Sequence, residues 1–367
     1  MHSKNNILKK AYIILIQHKN NKINADNILN ELYMLCNTAG YEAAGRYSFI
    51  QQKIYSDAYI GKGKLESLKE KAYIEDVKYF IFDNELSGSQ VNKIEEGSNI
   101  TALTRTEIIL EIFAIRAKTM TAKMQVELAF LEFEYPRLKG KRTNLSQIKG
   151  GIGLRGGAGE KQLEYDRRRA RERIHKLKNQ LKKAEKSAVT GRKGRENTFR
   201  IAIVGYTNAG KSTLFNLLCK ESVYVEDKLF ATLDTHTRKL YISDDAPMEV
   251  IISDTVGFID RLPHTLVASF KSTLSEVAEA DLLLHLSDAG DKNIDEKLIH
   301  VESIIKEINA SHIKSILVFN KSDSIDEIQK NKILTSYDDA LFISTKNNIN
   351  IETLRKKILD IILELKK

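Results

Sequence analysis

The sequence predicts an α/β fold in three parts: a small parallel α/β domain over residues 1–105, a long antiparallel helical hairpin over 106–196, and a second α/β domain over 197–367. Three observations predict this arrangement. Apolar strands alternate with amphipathic helices in the first and last parts. A heptad-spaced apolar seam runs along the middle part. A glycine-rich loop joins a strand to a helix where the last part begins.

The first part contains apolar runs at 12–16 and 79–82 and an alternating segment at 46–51, all of which are typical of strands. A helix follows the first strand, and we expect Asp26 to cap it. The sequence YIGKGKL at 59–65 predicts a turn that opens another helix. Such a turn suits a solvated helix entry as well as a contact with an anion or RNA, and the sequence leaves both open.

The middle part is predicted to be two long helices around a glycine-rich tip at 150–160. The first helix should run from about 107 to 135 and end before Pro136. The polar stretch 190–196 links the hairpin to the last part. The second helix carries the heptad seam, whose residues are spaced alternately by four and three: Ala170, Ile174, Leu177, Leu181, Ala184 and Ala188.

The net charge of +9 is unevenly distributed along the chain. Between positions 137 and 200 we count 21 Lys or Arg against 6 Asp or Glu, a local balance of +15. A solvated helix face normally mixes both signs, so this one-sided excess indicates a surface that binds a polyanion such as RNA. We expect the RNA-binding residues to include arginines of the tip and of the second helix: Arg155, Arg167, Arg168, Arg169 and Arg171.

The sequence shows no apolar run near the length of about 18 residues that a membrane span needs. Its N-terminus lacks the apolar core of a signal peptide. Cys36 and Cys219 are most simply buried free thiols in a reducing compartment. We therefore expect a cytoplasmic monomer without stable membrane insertion, and peripheral association with a membrane stays open.

Four short motifs in the last part each follow an apolar run. They are GYTNAGKS at 205–212, DTVG at 254–257, NKSD at 320–323 and STK at 344–346. Their order and spacing predict a Ras-like P-loop GTPase domain. We expect the nucleotide to contact all of their residues: Gly205, Tyr206, Thr207, Asn208, Ala209, Gly210, Lys211, Ser212, Asp254, Thr255, Val256, Gly257, Asn320, Lys321, Ser322, Asp323, Ser344, Thr345 and Lys346.

Each motif has a physical role. The loop amides and the helix N-terminus that follows them bind phosphate. Lys211 places positive charge between the β- and γ-phosphates, and the Ser212 hydroxyl ligates Mg²⁺. Asp254 holds the metal through water, and the Gly257 N–H reaches the γ-phosphate. Asp323 accepts from two N–H groups of guanine, which adenine lacks, so this residue selects GTP over ATP.

Many GTPases share these four motifs, and seven further segments are more specific: YIGKGKLESL (59–68), FDNELSGSQ (82–90), RTEIILEIFAIRAKT (105–119), QVELAFLEFEYPRL (125–138), GGIGLRGGAGEKQLEYDRR (150–168), LFATLD (229–234) and DTVGFIDRLPHTLVASFK (254–271). Together they resemble the HflX family of ribosome-associated GTPases across nearly the whole chain. The tip differs from the usual RGPGE form, since it lacks proline and is one residue longer. Many family members carry an additional C-terminal domain, which we expect this chain to lack.

The resemblance implies that the chain binds the rRNA of the large ribosomal subunit and splits or rescues ribosomes under stress. A large-subunit assembly or RNA-remodelling GTPase is the alternative, and a signalling GTPase with protein partners is a third. The resemblance also makes Lys211, Thr232 and Gly257 the expected catalytic residues, with the Thr232 hydroxyl completing the Mg²⁺ shell. It adds switch residues to the nucleotide site: Phe230, Ala231, Thr232, Leu233 and Asp234.

Phe258 stands where Ras-type enzymes place the glutamine that orients the attacking water. We therefore expect slow hydrolysis by the protein alone and stimulation by the ribosome. Asn208 could ligate a potassium ion beside the phosphates or only stabilise the loop turn, and the sequence leaves both open. His236 and His264 lie near the switch motifs in sequence, and we expect both to be structural.

Overall fold

The protein forms two compact units, one comprising Met1–Ile115 with Met124–Leu181 and the other Arg116–Lys123 with Lys182–Lys367. The computed structural model describes residues 9–20, 24–52, 55, 58–138, 160–192, 198–219, 229–230, 233, 236–242, 248–260 and 276–366. Within these ranges, no helix combines the length and the apolar character needed to cross a membrane.

The first unit contains a fully parallel four-stranded sheet in the order β2-β1-β3-β4. Residues 11–16 of β1 are buried, as expected for a central strand covered on both faces. The sequence analysis does not predict β4, since its four residues form no long apolar run. The strands are β1 (Lys9–His18), β2 (Tyr41–Gln51), β3 (Tyr79–Phe82) and β4 (Thr101–Thr104).

Three helices connect these strands: α1 (Ala25–Thr38), α2 (Lys62–Ile74) and α3 (Gly88–Glu95). The prediction that Asp26 caps α1 is wrong. Asn24 holds that position, and its side chain accepts a hydrogen bond from the Asn27 N–H at 3.3 Å. Asp26 lies inside the first turn, where a carboxylate instead meets the positive end of the helix dipole.

The predicted single helix from 107 to 135 is two helices, α4 (Arg105–Arg116) and α5 (Met120–Arg137). Thr119 separates them because its hydroxyl accepts from the Ala122 N–H at 3.1 Å and so starts a new helix. The predicted end before Pro136 is also wrong. Proline stands inside the last turn, and the Leu138 N–H still donates to the Glu134 carbonyl at 3.1 Å.

A third long helix, α6 (Glu160–Arg192), follows. Its predicted seam is confirmed at Ala170 and Leu177, which are buried. Three further seam residues are half-buried: Ile174, Leu181 and Ala184. Residues 150–159 of the glycine-rich tip lie outside the described residues, so the interpretation of the tip and of its Arg155 stays a prediction.

Ion pairs join α5 to α6. Arg173 contacts both carboxylate oxygens of Glu127 at 2.6 Å, and Lys178 lies 2.7 Å from Glu132. The paired geometry of the arginine contact fixes the relative rotation of the two helices more strongly than a lysine contact would. Polar contacts therefore supplement the narrow apolar seam between these helices.

A buried ionic cluster ties the sheet of the first unit to its helices. The Arg105 side chain is 5% exposed and contacts Glu31 and Asp83, and the Asp83 side chain is fully buried. Arg137, at the end of α5, lies 3.4 Å from Glu107 in α4. Because an unpaired buried charge is very costly, each carboxylate in this cluster depends on its arginine.

The second unit contains a six-stranded sheet in the order β10-β9-β8-β5-β7-β6, parallel except for the antiparallel edge strand β6. Apolar clusters cover both faces. The carboxyl ends of the parallel strands therefore meet at one edge, where loops can form a site. The elements are β5 (Phe199–Gly205), α7 (Lys211–Leu218), β6 (His236–Tyr241), β7 (Glu249–Asp254), β8 (Leu282–Asp288), α8 (Ile294–Glu307), β9 (Lys314–Asn320), α9 (Glu327–Ser336), β10 (Leu341–Phe342) and α10 (Ile351–Leu365).

The ionic cluster predicts a large effect of one arginine on stability. Arg105→Met should lower the free energy of unfolding by roughly 3 kcal/mol, because the buried Asp83 carboxylate would lose the positive charge of Arg105. Lys93→Met is the matched control, since it breaks the exposed Lys93–Glu96 pair and should have little effect. Urea titrations followed by circular dichroism would measure both, and equal small losses would contradict the assigned role.

Candidate nucleotide-binding site

The GYTNAGKS segment (205–212), called the phosphate loop below, leads from the end of β5 into the start of α7 and is closely packed at its two glycines. Gly205 has φ +147° and Gly210 φ +94°, conformations that side-chain-bearing residues rarely adopt. A Cβ atom at Gly205 would lie 2.1 Å from the Leu286 carbonyl oxygen, and one at Gly210 would lie 2.2 Å from the Asn320 amide nitrogen. Both glycines are therefore required for the loop to pass this close to β8 and β9.

Lys211 lies inside this loop and is 6% exposed. Its ammonium donates to the carbonyls of Gly205 at 3.1 Å and Tyr206 at 2.8 Å. Burial lowers the pKa of Lys211 to about 8, and the nearby Asp254 carboxylate partly opposes this change. A buried cation held by backbone carbonyls beside a helix N-terminus provides a concentrated positive site for phosphate.

His285, on β8, is a buried ionisable residue that the sequence analysis does not single out. Burial, followed by the positive charge of Lys211, lowers the pKa of His285 to about 4. The ring is therefore neutral at physiological pH. Its Nε2 has no hydrogen-bond partner among the described residues. A neutral ring here avoids a second buried cation beside Lys211.

Two hard oxygen ligands converge where the loop meets β7. The Ser212 hydroxyl donates to the Asp254 carboxylate at 2.7 Å, and Asp254 is buried at the end of its strand. Hydroxyl and carboxylate oxygens are the donors that Mg²⁺ prefers, so this pair fits a magnesium site. The Thr207 hydroxyl is also buried nearby in the loop, without a hydrogen-bond partner among the described residues.

The DTVG segment leaves β7 and passes directly over the loop. A Cβ atom at Gly257 would lie 2.8 Å from the Thr207 methyl and 2.9 Å from the Lys211 ammonium. The Thr207 N–H donates to the Phe258 carbonyl at 2.7 Å, and the Phe258 N–H donates to the Gly205 carbonyl at 3.1 Å. These backbone contacts place the Gly257 backbone beside the buried ammonium.

The NKSD and STK motifs form a second wall of the site. The buried Asn320 amide donates to the Ala209 carbonyl at 2.9 Å and accepts from the Thr345 N–H at 3.0 Å. Asp323 is exposed and accepts from the Ser344 hydroxyl at 2.5 Å. This hydrogen bond is the main reason that the pKa of Asp323 lies below its ordinary value, so the carboxylate stays ionised.

The structure brings the four predicted motifs together at one edge of the sheet. Phe230 and Leu233 are buried. His236 begins β6 and is exposed. Outside the described residues lie His264 and three predicted switch residues: Ala231, Thr232 and Asp234.

Sequence reasoning missed one acid at this edge. Asp288 ends β8, and its carboxylate lies 2.8 Å from the Lys321 ammonium. The signal was present in the sequence, since Asp288 follows an apolar run just as Asp254 does. The pair holds Lys321, whose backbone is left-handed with φ 61°, at the turn that carries the NKSD motif.

Comparisons with known proteins support a nucleotide site. Three family models match successive parts of the chain. Residues 26–114 match the model described as GTP-binding GTPase N-terminal, residues 116–195 match GTP-binding GTPase Middle Region, and residues 200–321 match 50S ribosome-binding GTPase. GTPase HflX of Magnetococcus marinus is 40% identical over 94% of this chain and 81% of its own length. GTPase HflX of Escherichia coli is 41% identical over 82% of this chain and 70% of its own. The crystal structure of a complex of SsGBP and GDP aligns with a TM-score of 0.53 and 26% identity, covering 98% of this chain and all of that one.

Lys211 carries a predictable stability cost. Its pKa falls from 10.5 to about 8 on folding, which corresponds to about 3 kcal/mol at neutral pH. Between pH 8 and pH 10.5 the unfolded chain binds more protons, so this cost disappears as pH rises. Lys211→Met should therefore raise the free energy of unfolding by about 2–3 kcal/mol at pH 7, and the gain should shrink towards pH 10.5.

Denaturant titrations across that pH range, without nucleotide, measure this difference. Lys356→Met, which changes an exposed lysine of α10, is the charge-matched control and should leave the free energy of unfolding nearly unchanged at pH 7. A variant at Lys211 that is less stable than the native protein at pH 7 would contradict the assigned burial cost.

Proposed function

Because the chain belongs to the HflX family of GTPases, we propose that it is a GTP-driven switch that binds the large ribosomal subunit and splits or rescues ribosomes. The chain is a GTPase and hydrolyses GTP. The ribosomal part of the proposal is supported above all by α6, whose outer face is dominated by positive charge. A ribosomal partner implies that the protein acts in the cytoplasm.

The site residues suggest how the nucleotide is held. Lys211 and the loop amides would bind the β- and γ-phosphates, and the Gly257 N–H would reach the γ-phosphate because its backbone lies beside Lys211. Asp323 would accept from the guanine edge, with Ser344 orienting its carboxylate. Ser212 and Asp254 would hold Mg²⁺, which neutralises phosphate charge when bound.

Two expectations from the sequence concern metal ions, one at Thr232 and one at Asn208. Thr232 would complete the Mg²⁺ shell, and it lies outside the described residues. Asn208 has a left-handed backbone with φ 62°, a conformation that asparagine adopts more readily than most residues. The loop-turn role is therefore sufficient to explain Asn208, and we carry the potassium hypothesis no further.

Asp323 should determine which base is bound. Asp323→Asn replaces an acceptor pair with one acceptor and one donor, which suits xanthine better than guanine. We expect GTP affinity to fall by roughly two orders of magnitude, because the amide of the variant cannot accept from both N–H groups of guanine as the Asp323 carboxylate can. XTP affinity should rise, because xanthine offers an acceptor to the new amide donor. Competition titrations with labelled GDP would measure both. Asp338→Asn changes an exposed acid outside the site and is the matched control. Unchanged GTP affinity would contradict the base-pocket assignment.

The RNA-facing surface is proposed to lie on the exposed side of α6. Arg168 and Arg169 are exposed, and both guanidinium groups lie about 5.5 Å from the ring centroid of Tyr165. In contrast, Arg171 donates to the Tyr135 hydroxyl, and Arg167 is half-buried. Phosphate contact therefore falls most naturally to the exposed pair, since those guanidinium groups are not used to join α5 to α6.

Sucrose-gradient sedimentation tests the proposal as a whole. Intact ribosomes incubated with the protein and a non-hydrolysable GTP analogue should separate into subunits, with the protein on the large one. Co-migration with precursor large subunits, without loss of intact ribosomes, would instead support the assembly alternative. Absence from all ribosomal fractions would contradict the proposal and leave a signalling role with protein partners.

Arg168→Ser combined with Arg169→Ser should weaken large-subunit binding and reduce its salt dependence, because a variant with fewer phosphate contacts releases fewer counterions when it binds. GTP affinity should not change. Lys292→Ser with Lys306→Ser removes the same charge from exposed positions of the second unit and is the matched control. Pelleting assays across a salt series would compare the two double variants, and equal binding would contradict the assignment to α6.

A further inference from the structure

The segment that follows Asp254, residues 255–260, is called the switch segment below and is held in place by successive contacts. Gly257 packs against Lys211, and the Phe258 backbone is hydrogen bonded to the phosphate loop on both sides. The next two residues, Ile259 and Asp260, are held by two side chains, and the nucleotide motifs do not predict that either side chain holds this segment. These are Tyr206, whose backbone belongs to the loop, and His300 of α8.

Tyr206 contacts this segment through its phenol group. The Asp260 N–H donates to the Tyr206 hydroxyl oxygen at 2.7 Å, and the tyrosine is 7% exposed. A hydrogen bond from a backbone amide fixes that residue's position along the chain. The phosphate loop therefore reaches across to the switch segment with a side chain as well as with its backbone.

His300 contacts the same segment from the other side. Its Nε2 lies 2.8 Å from the Ile259 carbonyl oxygen, and Ile259 is fully buried. Since a carbonyl only accepts, Nε2 must carry the proton. The Nδ1 atom faces the Asp260 carboxylate at 3.8 Å, and the ring meets Tyr206 edge-on at 6.4 Å between centroids.

Lys297, one helical turn before His300, completes the arrangement. Its ammonium lies 4.5 Å from the centre of the Tyr206 ring and pairs with Asp291. The aromatic ring is thus enclosed by two side chains of α8, which limits its rotation. The position of the tyrosine hydroxyl therefore depends on α8 as well as on the loop.

We propose that Tyr206 and His300 are positioning residues for GTP hydrolysis. They hold residues 258–260 against the loop, and this fixes the Gly257 backbone beside Lys211. The inference rests on the proposed contact between the Gly257 N–H and the γ-phosphate. One end of this short segment is anchored in β7, and at its other end these two side chains anchor residues 259 and 260, next to the two backbone hydrogen bonds of Phe258. Losing either side-chain anchor would loosen the segment and make the position of Gly257 beside the phosphate less fixed.

A GDP molecule has no γ-phosphate, so the two nucleotides should respond differently. Loss of either anchor should slow hydrolysis and weaken binding of a GTP analogue, while GDP affinity should change little. A general collapse of the phosphate loop would weaken both nucleotides together. The ratio of the two affinities therefore separates positioning of the switch segment from simple loss of structure.

The test compares Tyr206→Phe, His300→Ala and His300→Gln in the isolated full-length protein. Single-turnover hydrolysis should slow by roughly three- to tenfold in the first two, as expected for one lost hydrogen bond. The glutamine amide can still donate to the Ile259 carbonyl, so His300→Gln should recover most of the rate. Hydrogen exchange should accelerate at the Asp260 amide in Tyr206→Phe.

Matched controls come from the same region. Tyr337→Phe removes a 2.7 Å phenolic hydrogen bond to Asp295, also on α8, without touching the switch segment. His312→Gln changes an exposed histidine. Both should hydrolyse GTP at the native rate. Because no ribosome is present and Asp323→Asn tests the base pocket separately, failure here is distinguishable from failure of the proposed function.

Three results would overturn the inference. One is a native rate with native exchange at Asp260 in both Tyr206→Phe and His300→Ala. Another is an equal loss of GDP and GTP-analogue affinity, which would make the two residues general supports of the loop. The third is an equally slow Tyr337→Phe, which would attribute the effect to loosening of α8.

Discussion

The candidate site depends on the hydrogen bonds of the Asn320 side chain. One buried amide donates to the phosphate loop through Ala209 and accepts from Thr345, so it joins loops that follow three different strands. It also occupies the space beside Gly210 that a Cβ atom would need. The loop proposed to bind phosphate and the wall proposed to bind the base therefore share one polar crosslink, and neither can shift without disturbing the other.

Buried charge is treated differently in the two units. In the first, Arg105 and its carboxylates pair with each other, so their burial specifies the packing of sheet and helices. In the second, the buried Lys211 ammonium donates to two backbone carbonyls. Burial lowers the pKa of Lys211, and the nearby Asp254 carboxylate opposes this change only in part. The unit thus keeps a buried cation at the proposed phosphate site at a cost in stability, in agreement with the tendency of functional sites to lower stability.

Contacts around Tyr206 extend the site beyond its motifs. The residue is part of the phosphate loop, yet its hydroxyl meets the switch segment and its ring meets α8. A helix outside the nucleotide motifs therefore touches the segment that carries Gly257. Two hydrogen bonds and an enclosed ring thus connect the proposed nucleotide site to α8.

The sequence by itself determined β5, β7, β9 and β10, the four motifs that follow them and the family, because local patterns of apolar runs and glycines encode them directly, whereas it did not predict β6 or β8. It did not determine the cap at Asn24, the helix break at Thr119 or the short β4, where competing local signals are nearly equal in strength. The lowered pKa of Lys211, the Asp288–Lys321 pair and the His300 contact were decided only by tertiary structure. Each depends on burial or on two groups from distant elements meeting, and no spacing along the chain records that.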